Sequence, residues 1–407
     1  MRRLALPLES VAAHGYRLHP IDRWMAHRLQ ATIGPAAIQL QLWDGSMMPL
    51  GRDPVGVLSV RDRQALAGLV FRPDPAFGEY YMTGRVTIRG DFAGVVEHLT
   101  ALSRPSVPSL AERVALRLTP SNGPLTARRN VHHHYDLGNA FYALWLDPQL
   151  VYTCAWYPSD TSTLAEAQIA KLDRVCHKLQ LRPGERVVEA GCGWGALALH
   201  MARNYGVTVR AYNISTEQLR YARARAAEER LAHLVTFVED DFRNVTGRYD
   251  AFVSVGMLEH VGRRQYSALA AALTRVLDPD SGRGLLHFIG RDHPRRLNAW
   301  IRRRIFPGAY PPTLAEVTSQ VLEPANMSVL HAENLRLHYA RTLEDWRSRF
   351  ERAERTVASQ FGDPFYRAWR LYLAGSGAAF KTGWLQLFQV VFAPTGGHAS
   401  GPRDAAL

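Results

Sequence analysis

The stretch that decides the fold is "ERVVEAGCGWG" at residues 185–195, where a short apolar strand runs directly into a glycine-rich turn. Glycines in such a turn let the backbone approach a ligand closely at the carboxyl end of the strand. The spacing here is G-x-G-x-G, whereas a dinucleotide-binding turn has G-x-G-x-x-G. The next predicted strand ends at Asn213, where a dinucleotide site usually places an acidic residue for the ribose. These differences leave two interpretations: a different ligand, or a tight strand–helix turn without one.

The segments around this turn alternate between helical and strand-like patterns. Apolar residues recur at helical spacing in some of them, and the short apolar runs between these are typical of buried strands. Ser215 and Gln218 form a capping pair at the start of one predicted helix. The alternation predicts a doubly wound, mostly parallel α/β sheet with helices on both faces. The segments are "AEAQIAKLDRVCHKLQL" (165–181), "ALALHMARNY" (196–205), "VTVRAY" (207–212), "STEQLRYARARAAEERL" (215–231), "LVTFVED" (234–240), "YDAFVSVG" (249–256) and "GLLHFIG" (284–290).

A chain of 407 residues is too long for one ordinary core and indicates more than one domain. Strand-like alternation with glycines at turns predicts a small α+β domain at the amino-terminal end. No apolar run reaches the length needed to span a bilayer. We predict an amino-terminal domain at 1–102, a proline-containing linker at 103–129, a catalytic domain at 130–395 and a flexible tail at 396–407.

The chain is strongly basic, with a formal net charge of +12 and a pI near 9.9. Only Lys171, Lys178 and Lys381 are lysines among its 49 basic side chains. A basic surface attracts polyanions such as nucleic acid or an anionic membrane. Arginine enrichment also follows from a genome's base composition, so charge alone does not choose between them. The segment "VAAHGYRLHPIDRWMAHRL" (11–29) fits either a membrane-surface helix or a core-packed helix with solvated arginines.

The three cysteines, at positions 154, 176 and 192, form neither a disulfide framework nor a zinc knuckle. A reducing, cytosolic location is therefore expected. The histidine run 132–134 raises the question of a metal site. Three adjacent residues cannot all face one ion, because strand-like alternation sends the middle side chain away from the other two. We predict no metal site.

Several short segments, read together and in order, resemble the cyclopropane-fatty-acyl-phospholipid synthase family. Its members are class I methyltransferases that depend on S-adenosylmethionine, and the acid-x-G-x-G-x-G turn resembles the first motif of that superfamily. "FGEYYMTGRVTIRGD" (77–91) is similar to a motif in the amino-terminal lipid-binding domain of phospholipid-acting members. The strongest resemblance covers 130–393 and rests on the stretch 171–195 and on "HYDLGNAFY" (134–142), "LDPQLVYTCAWYP" (146–158), "NISTEQ" (213–218), "VGMLEHVG" (255–262), "LLHFIG" (285–290), "IFPGAYPP" (305–312) and "LQLFQVVF" (385–392).

The resemblance implies transfer of a methyl group from S-adenosylmethionine to a cis double bond in the acyl chain of a membrane phospholipid. A carbocation forms, the new methyl group loses a proton and the ring closes. The implied base is a bound bicarbonate. The implied partner is an unsaturated phospholipid in a bilayer with an anionic surface. The protein is then expected to be cytoplasmic, to dock peripherally on the inner face of the membrane, and to form a homodimer as family members often do.

The resemblance also assigns site residues. The matching bicarbonate-binding and catalytic positions are Cys154, Glu259, His287, Tyr339 and, through its backbone, Ile289. Aromatic faces stabilise a nearby cation without reacting with it, and Tyr135, Tyr152, Trp156 and Phe288 are the candidates for this role. The matching cofactor-binding positions are Tyr135, Tyr152, Thr153, Gly191, Cys192, Gly193, Gln218, Asp241 and Phe242.

Each of these residues also has a purely structural interpretation. Glu259 is placed to cap a helix, His287 to be a satisfied core residue, and Cys154 to be a small buried hydrophobe. Three rival functions stay open. A related lipid C-methyltransferase would give methylene- or methyl-branched chains, and an idle lipid-binding protein would not use the cofactor. A nucleic-acid methyltransferase would suit the charge, but the place of its N/D-P-P-Y/F motif reads "SVGMLEHVG" (254–262) here.

Overall fold

The computed structural model describes residues 18–34, 36–102, 116 and 137–401 of the chain. The chain divides into two compact units between positions 103 and 104, and each is described by itself. The histidine run, the predicted cofactor residue Tyr135 and most of the predicted linker lie outside the described residues.

The first unit is an α+β layer built on a four-stranded sheet with the order β2-β1-β3-β4. Strands β1 and β3 are parallel, whereas β2 and β4 run antiparallel to their neighbours. Alternate residues of β1 and β3 are buried, which gives the sheet one core face. The elements are α1 (Pro20–Ile33), β1 (Ile38–Gln41), β2 (Met47–Pro49), β3 (Gly56–Val60), α2 (Arg63–Phe71), α3 (Pro73–Met82), β4 (Val86–Gly90) and α4 (Phe92–Leu102).

The second unit contains a seven-stranded sheet with the order β10-β11-β9-β8-β5-β6-β7. Strands β5 to β9 are parallel, and β11 runs antiparallel between β9 and β10. This is the mostly parallel α/β sheet that the sequence predicted. The strands are β5 (Arg186–Ala190), β6 (Thr208–Asn213), β7 (Val235–Glu239), β8 (Ala251–Val255), β9 (Arg283–Gly290), β10 (Met327–Asn334) and β11 (Gln386–Pro394).

Helices cover both faces of this sheet. Successive strand residues point to opposite faces, so Val187 joins one core cluster and Val188 the other. Ser215 accepts a hydrogen bond from the Gln218 N–H, as the predicted cap requires. The helices are α5 (Asn139–Ala143), α6 (Leu164–Lys178), α7 (Ala196–Tyr205), α8 (Thr216–Glu228), α9 (Leu258–Val261), α10 (Tyr266–Val276), α11 (Ala299–Arg304), α12 (Leu314–Val317), α13 (Arg336–Arg352), α14 (Glu354–Phe361) and α15 (Asp363–Lys381).

The strand order places the ligand crevice. The order of the strands reverses at β5, because β6 lies on one side of it and β8 on the other. The carboxyl ends of these parallel strands lie at the same edge of the sheet. Ligands of open α/β sheets bind at such a switch point. Among the described residues, no helix is both long and apolar enough to cross a membrane.

Candidate active site

A cavity of about 160 Å³ lies at the carboxyl ends of β5, β6, β7 and β8. It is also lined by the segment 150–153, which precedes α6, and by the first turn of α7. All of the predicted cofactor residues that the structure describes line this one cavity: Tyr152, Thr153, Gly191, Cys192, Gly193, Gln218, Asp241 and Phe242.

The glycine turn is held against the neighbouring strand. The N–H groups of Gly191 and Cys192 both donate to the Tyr212 carbonyl, at 2.9 and 3.1 Å. Gly191 has a φ of +86°, and a Cβ at that position would lie 3.0 Å from the Cβ of Met257. A side chain there would be strained by the backbone and crowded by its neighbour. The glycine is therefore required by the shape of the cavity wall.

Asn213 ties the ends of β5 and β6 together. Its Nδ2 donates to the Gly193 carbonyl at 3.1 Å and to Gln218 Oε1 at 2.9 Å, and its Oδ1 accepts from the Ile214 N–H at 2.8 Å. Asn213, which stands where a dinucleotide site usually has an acidic residue, thus orients both the glycine turn and Gln218, the predicted ribose-binding residue. On the β7 side, Asp241 is ion-paired with Arg243 at 2.9 Å.

Lys171 on α6 is a cavity residue that the sequence did not single out. Its Nζ donates to Thr153 Oγ1 at 2.7 Å, and the side chain is 2% exposed. Burial lowers the pKa of Lys171 to about 8 and raises the pKa of Glu189, on the same cavity wall, to about 8. Each residue favours the charged form of the other. A lysine on the buried face of a helix is the signal that would have identified Lys171.

Tyr152 stands in an aromatic cluster. Its ring centroid lies 5.5 Å from that of Tyr142, 5.2 Å from Trp145 and 5.3 Å from Trp346. Its hydroxyl is 2.7 Å from the Tyr372 hydroxyl. These contacts fix the ring that faces the cavity.

Two other aromatic candidates lie elsewhere. The guanidinium of Arg174 stacks on the Trp156 ring at 4.6 Å. Phe288 is fully buried and packs against Phe388 at 5.7 Å. Neither Trp156 nor Phe288 lines the cavity.

Glu259 lies on α9 between the cavity residues Met257 and His260. Its Oε1 accepts a hydrogen bond from the Ile289 N–H on β9. Burial raises the pKa of Glu259 to about 7. Its Oε2 is buried and has no hydrogen-bond partner among the described residues. The carboxyl group therefore has one fixed oxygen and one oxygen available to a ligand.

His287 lies on β9 beside the same cavity. The N–H of the cavity residue Gly256 donates to the His287 carbonyl at 2.8 Å. His287 Nδ1 is 3.0 Å from Gln389 Nε2, and Nε2 is buried without a partner in the described part of the chain. Burial, with the charges of Lys171 and Lys178, holds the pKa of His287 well below its ordinary value. The ring is therefore neutral at pH 7.

Cys154, through its Sγ, and Tyr339, through its backbone N–H, both contact the backbone carbonyl of Leu335. The Cys154 Sγ lies 4.0 Å from the Leu335 carbonyl, to which the Tyr339 N–H donates at 3.1 Å. The Leu335 N–H donates to the Leu387 carbonyl, and Leu387 is opposite Ile289 in the β9–β11 register. Burial raises the pKa of the Cys154 thiol far above its ordinary value, which excludes a thiolate nucleophile. A series of side-chain and backbone contacts through Leu335 and Leu387 thus links Cys154 and Tyr339 to Ile289 on β9, the strand that also carries His287 and whose Ile289 N–H binds Glu259.

The cavity has a further histidine that the sequence did not identify. His260 lines it, and burial lowers the pKa of His260 to about 4. The imidazole is therefore neutral at pH 7. Within the described ranges, no group of three His, Cys, Asp or Glu side chains is arranged to hold a metal ion.

The family model described as mycolic acid cyclopropane synthetase matches residues 124–390. The chain belongs to this family. The match confirms the resemblance to the cyclopropane-fatty-acyl-phospholipid synthases, and the protein is an S-adenosylmethionine-dependent methyltransferase of the cyclopropane synthase family. The family includes cyclopropane synthases and lipid methyltransferases.

Curated relatives in this family differ in their reactions. A "probable fatty acid methyltransferase" of Pseudomonas putida is 34% identical over 374 residues, which covers 90% of this chain and 94% of that protein. The cyclopropane-fatty-acyl-phospholipid synthase of Escherichia coli K12 is 40% identical over 261 residues, or 64% of this chain and 66% of that protein. A tuberculostearic acid methyltransferase of Mycobacterium tuberculosis is 35% identical, with 77% of each chain covered.

Solved structures of family members share the fold. A cyclopropane synthase from Mycobacterium tuberculosis has a TM-score of 0.62 and 30% identity, and it covers 65% of this chain and 98% of its own. A mycolic acid cyclopropane synthase solved with SAH and CTAB has a TM-score of 0.61 and 30% identity, and it covers 65% of this chain and 97% of its own. The likeness confirms the class I methyltransferase fold of the second unit.

Proposed function

We propose that the protein is a cyclopropane-fatty-acyl-phospholipid synthase, which converts cis double bonds in membrane phospholipids into cyclopropane rings. The observation that carries this proposal is the pair of Glu259 Oε2 and His287 Nε2. One is a hydrogen-bond acceptor and the other a ring nitrogen, both are buried beside the cofactor cavity, and neither has a partner among the described residues. Such groups are costly to bury unless a ligand satisfies them.

S-adenosylmethionine is proposed to bind in the cavity and to supply the methyl group to the double bond. The glycine turn would hold its amino-acid part, together with Tyr152 and Thr153. Gln218, oriented by Asn213, would bind the ribose. Asp241 and Phe242 would contact the adenine, and the resemblance adds Tyr135 from outside the described residues.

The residues around Glu259 fit a small anion that carries a proton, as bicarbonate does. When bound there, bicarbonate would supply the base that removes the proton released at ring closure. Glu259 Oε2 would accept a hydrogen bond from the O–H of the anion, while His287 Nε2 and the Tyr339 hydroxyl would donate hydrogen bonds to its other oxygens. The Ile289 N–H holds Glu259 in place, and the family resemblance adds Cys154 to this site.

The protein must also tolerate a cation on the acyl chain. The Tyr152 ring lines the cavity and is held by its aromatic neighbours, so its negative face is available to a developing charge. Exclusion of water by this aromatic wall prevents hydroxide or water from capturing the cation.

An exposed apolar patch in the first unit supports membrane docking. Ile21 and Trp24 of α1 and Phe71 of α2 are 51%, 54% and 63% exposed, and the rings of Trp24 and Phe71 are 6.2 Å apart. Exposed Arg28 lies on the same face of α1. Aromatic residues beside arginines suit an anionic membrane surface. We propose peripheral attachment to the inner face of the membrane, and homodimer formation stays a prediction.

A second candidate is a related lipid C-methyltransferase that produces methyl- or methylene-branched chains. The specific observation in its favour is coverage: the relative from Pseudomonas putida matches 90% of this chain, whereas the Escherichia coli synthase matches 64%. The two reactions share the first step and differ in which carbon loses the proton. Loss from the new methyl group closes the ring, loss from a neighbouring chain carbon gives a methyl-branched alkene, and loss from the methyl group after a hydride shift gives a methylene branch. A saturated methyl branch would in addition require a hydride donor.

The test is expression in a bacterial host that lacks its own cyclopropane synthase and is fed methyl-deuterated methionine. Phospholipid acyl chains are then analysed by gas chromatography and mass spectrometry after methanolysis. Ring closure leaves two of the three deuterium atoms in a cyclopropane, which catalytic hydrogenation opens. A methyl branch formed by proton loss from a chain carbon retains all three deuterium atoms. A methylene branch retains two, as the ring does, but its double bond is reduced under milder hydrogenation than the ring requires. Branched products alone would overturn the proposal in favour of the second candidate.

A further inference from the structure

A chain of buried hydrogen bonds runs from Lys178 through Gln389 to Nδ1 of His287, the ring nitrogen opposite the unpartnered Nε2. Lys178, near the end of α6, is 1% exposed, and its Nζ donates to Gln389 Oε1 at 2.7 Å and to Glu333 Oε2. Gln389 on β11 is fully buried, and its Nε2 lies 3.0 Å from His287 Nδ1. Neither Lys178 nor Gln389 lines the cofactor cavity.

The donors and acceptors in this chain have only one consistent direction. Burial lowers the pKa of Lys178 to about 8, so the side chain is an ammonium at pH 7. An ammonium donates and cannot accept, so the amide oxygen of Gln389 must face Lys178. The amide NH₂ then faces His287, and Nδ1 must be the acceptor. Because a neutral imidazole carries one proton, that proton sits on Nε2.

We propose that Lys178 and Gln389 are positioning residues that fix His287 as the Nε2–H tautomer. The ring then presents a hydrogen-bond donor, and not a base, to the anion beside Glu259. This inference rests on the proposed function insofar as it gives His287 a role toward that anion. It assigns proton removal to a group other than His287.

Burial of Lys178 is costly enough to call for such a role. An ammonium in the protein interior loses its hydration, and a pair of apolar side chains of similar volume would fill the same space at lower cost. Glu333 provides a counter-charge and also binds Arg174 at 2.6 Å. Glu333 therefore favours the charged form of Lys178, while another N–H of the ammonium is directed at Gln389.

The direct test is the tautomer of His287 in the intact, ligand-free protein. The chain has 16 histidines, so ¹⁵N-histidine-labelled wild type is compared with His287→Gln to assign the His287 signals in long-range ¹H–¹⁵N correlation spectra. The expected pattern is a protonated Nε2 and an unprotonated Nδ1. A protonated Nδ1, or an imidazolium at pH 7, would overturn the proposal without any variant at Lys178 or Gln389.

Variants then test this relay, by which we mean the hydrogen-bonded chain Lys178–Gln389–His287. Gln389→Met and Lys178→Met are expected to give a mixture of tautomers and to lower kcat roughly 10- to 100-fold, the range typical of groups that orient a histidine from behind. The KM for S-adenosylmethionine should change little, because neither residue lines the cavity. Lys178→Arg keeps a cationic donor and should restore most of the activity. Unchanged tautomer and kcat in Gln389→Met would contradict the relay.

Gln386→Met is the matched control. Gln386 is also on β11 and is 7% exposed, but its amide oxygen accepts from Asn334 and its amide nitrogen donates to Asp292. Its replacement should leave the His287 spectrum unchanged. The spectrum needs no substrate, so the tautomer can be confirmed even if the lipid product proves to be branched, and a cyclopropane product does not by itself support the relay.

Discussion

Lys171 donates a hydrogen bond to the Thr153 hydroxyl at 2.7 Å, within the wall of the proposed cofactor cavity. The Lys171 side chain is buried, and Glu189 on the same wall favours its charged form. The hydroxyl of Thr153 is thus held by a cation on a rigid helix. This relationship explains how a residue outside regular secondary structure is fixed precisely where the cofactor is proposed to bind.

Thr153→Val should weaken cofactor binding, because the isosteric side chain removes the hydroxyl and deprives Lys171 of this partner. A hydrogen bond to a charged group contributes about 1.5–3 kcal/mol, which corresponds to roughly a 10- to 100-fold increase in Kd. Calorimetry with S-adenosylhomocysteine measures the change. Thr153→Ser keeps the hydroxyl and serves as the control with near-normal affinity. Equal affinity of Thr153→Val and wild type would contradict this role for the hydroxyl.

The sequence predicted the fold from local patterns, and the family resemblance implied residues that the structure places around one cavity. The strand 186–190 ends at Gly191, and parallel strands bring their carboxyl ends to one edge, so residues from distant loops converge there. The glycine turn could be located from the strand pattern, whereas the other cofactor-binding positions were implied by the family resemblance. Asn213, noted only as a missing acid, proved to be the tie between the turn and Gln218.

The polar network behind the site could not be predicted in this way. Gln389 and Lys178 are 211 residues apart, and no periodicity in either segment shows that their side chains meet. One signal was available. Lys171 and Lys178 are seven residues apart on α6, which places two of only three lysines on the buried face of one helix. Charges on such a face are rarely without a partner, and here both contact residues of the site or its support.

Glu259→Gln should make the ligand-free protein more stable than wild type at high pH. The pKa of Glu259 is raised from 4.5 to about 7, so the folded state binds the proton more tightly than the unfolded chain. The stability that this group contributes is complete at low pH and is lost as the pH rises through about 7. The shift corresponds to on the order of 3 kcal/mol between pH 4 and pH 8.

Urea unfolding of wild type and Glu259→Gln at several pH values provides the measurement. The difference between the two proteins isolates Glu259, since other titrating groups cancel. Wild type should lose stability relative to the variant as the pH increases, while the variant makes little or no lipid product. A difference that does not change between pH 5 and pH 8 would show that Glu259 has an ordinary pKa.

Tyr152→Phe should retain most of the activity, whereas Tyr152→Leu should lower it. The phenylalanine keeps the aromatic face toward a developing cation and gives up only the hydroxyl contact with Tyr372. A cation on an aromatic face contributes about 0.5–2 kcal/mol, so kcat should fall roughly 2- to 30-fold in the leucine variant. Steady-state kinetics on phospholipid vesicles shows whether the aromatic ring or the hydroxyl of Tyr152 contributes to kcat. Equal losses in the two variants would assign the effect to the hydroxyl.

Membrane attachment should depend on the apolar patch of the first unit and on ionic strength. Trp24→Ala with Phe71→Ala removes two of its exposed rings and should weaken binding to anionic vesicles without changing cofactor affinity, since neither residue lines the cavity. Leu337→Ala is the matched control, because Leu337 is 61% exposed in the second unit.

Vesicle co-sedimentation of the full chain at rising salt measures both effects. Basic side chains near an anionic surface contribute about 1 kcal/mol each at physiological salt, so binding should decrease as salt screens them. Binding that resists salt and survives loss of both rings would place the membrane contact outside this patch.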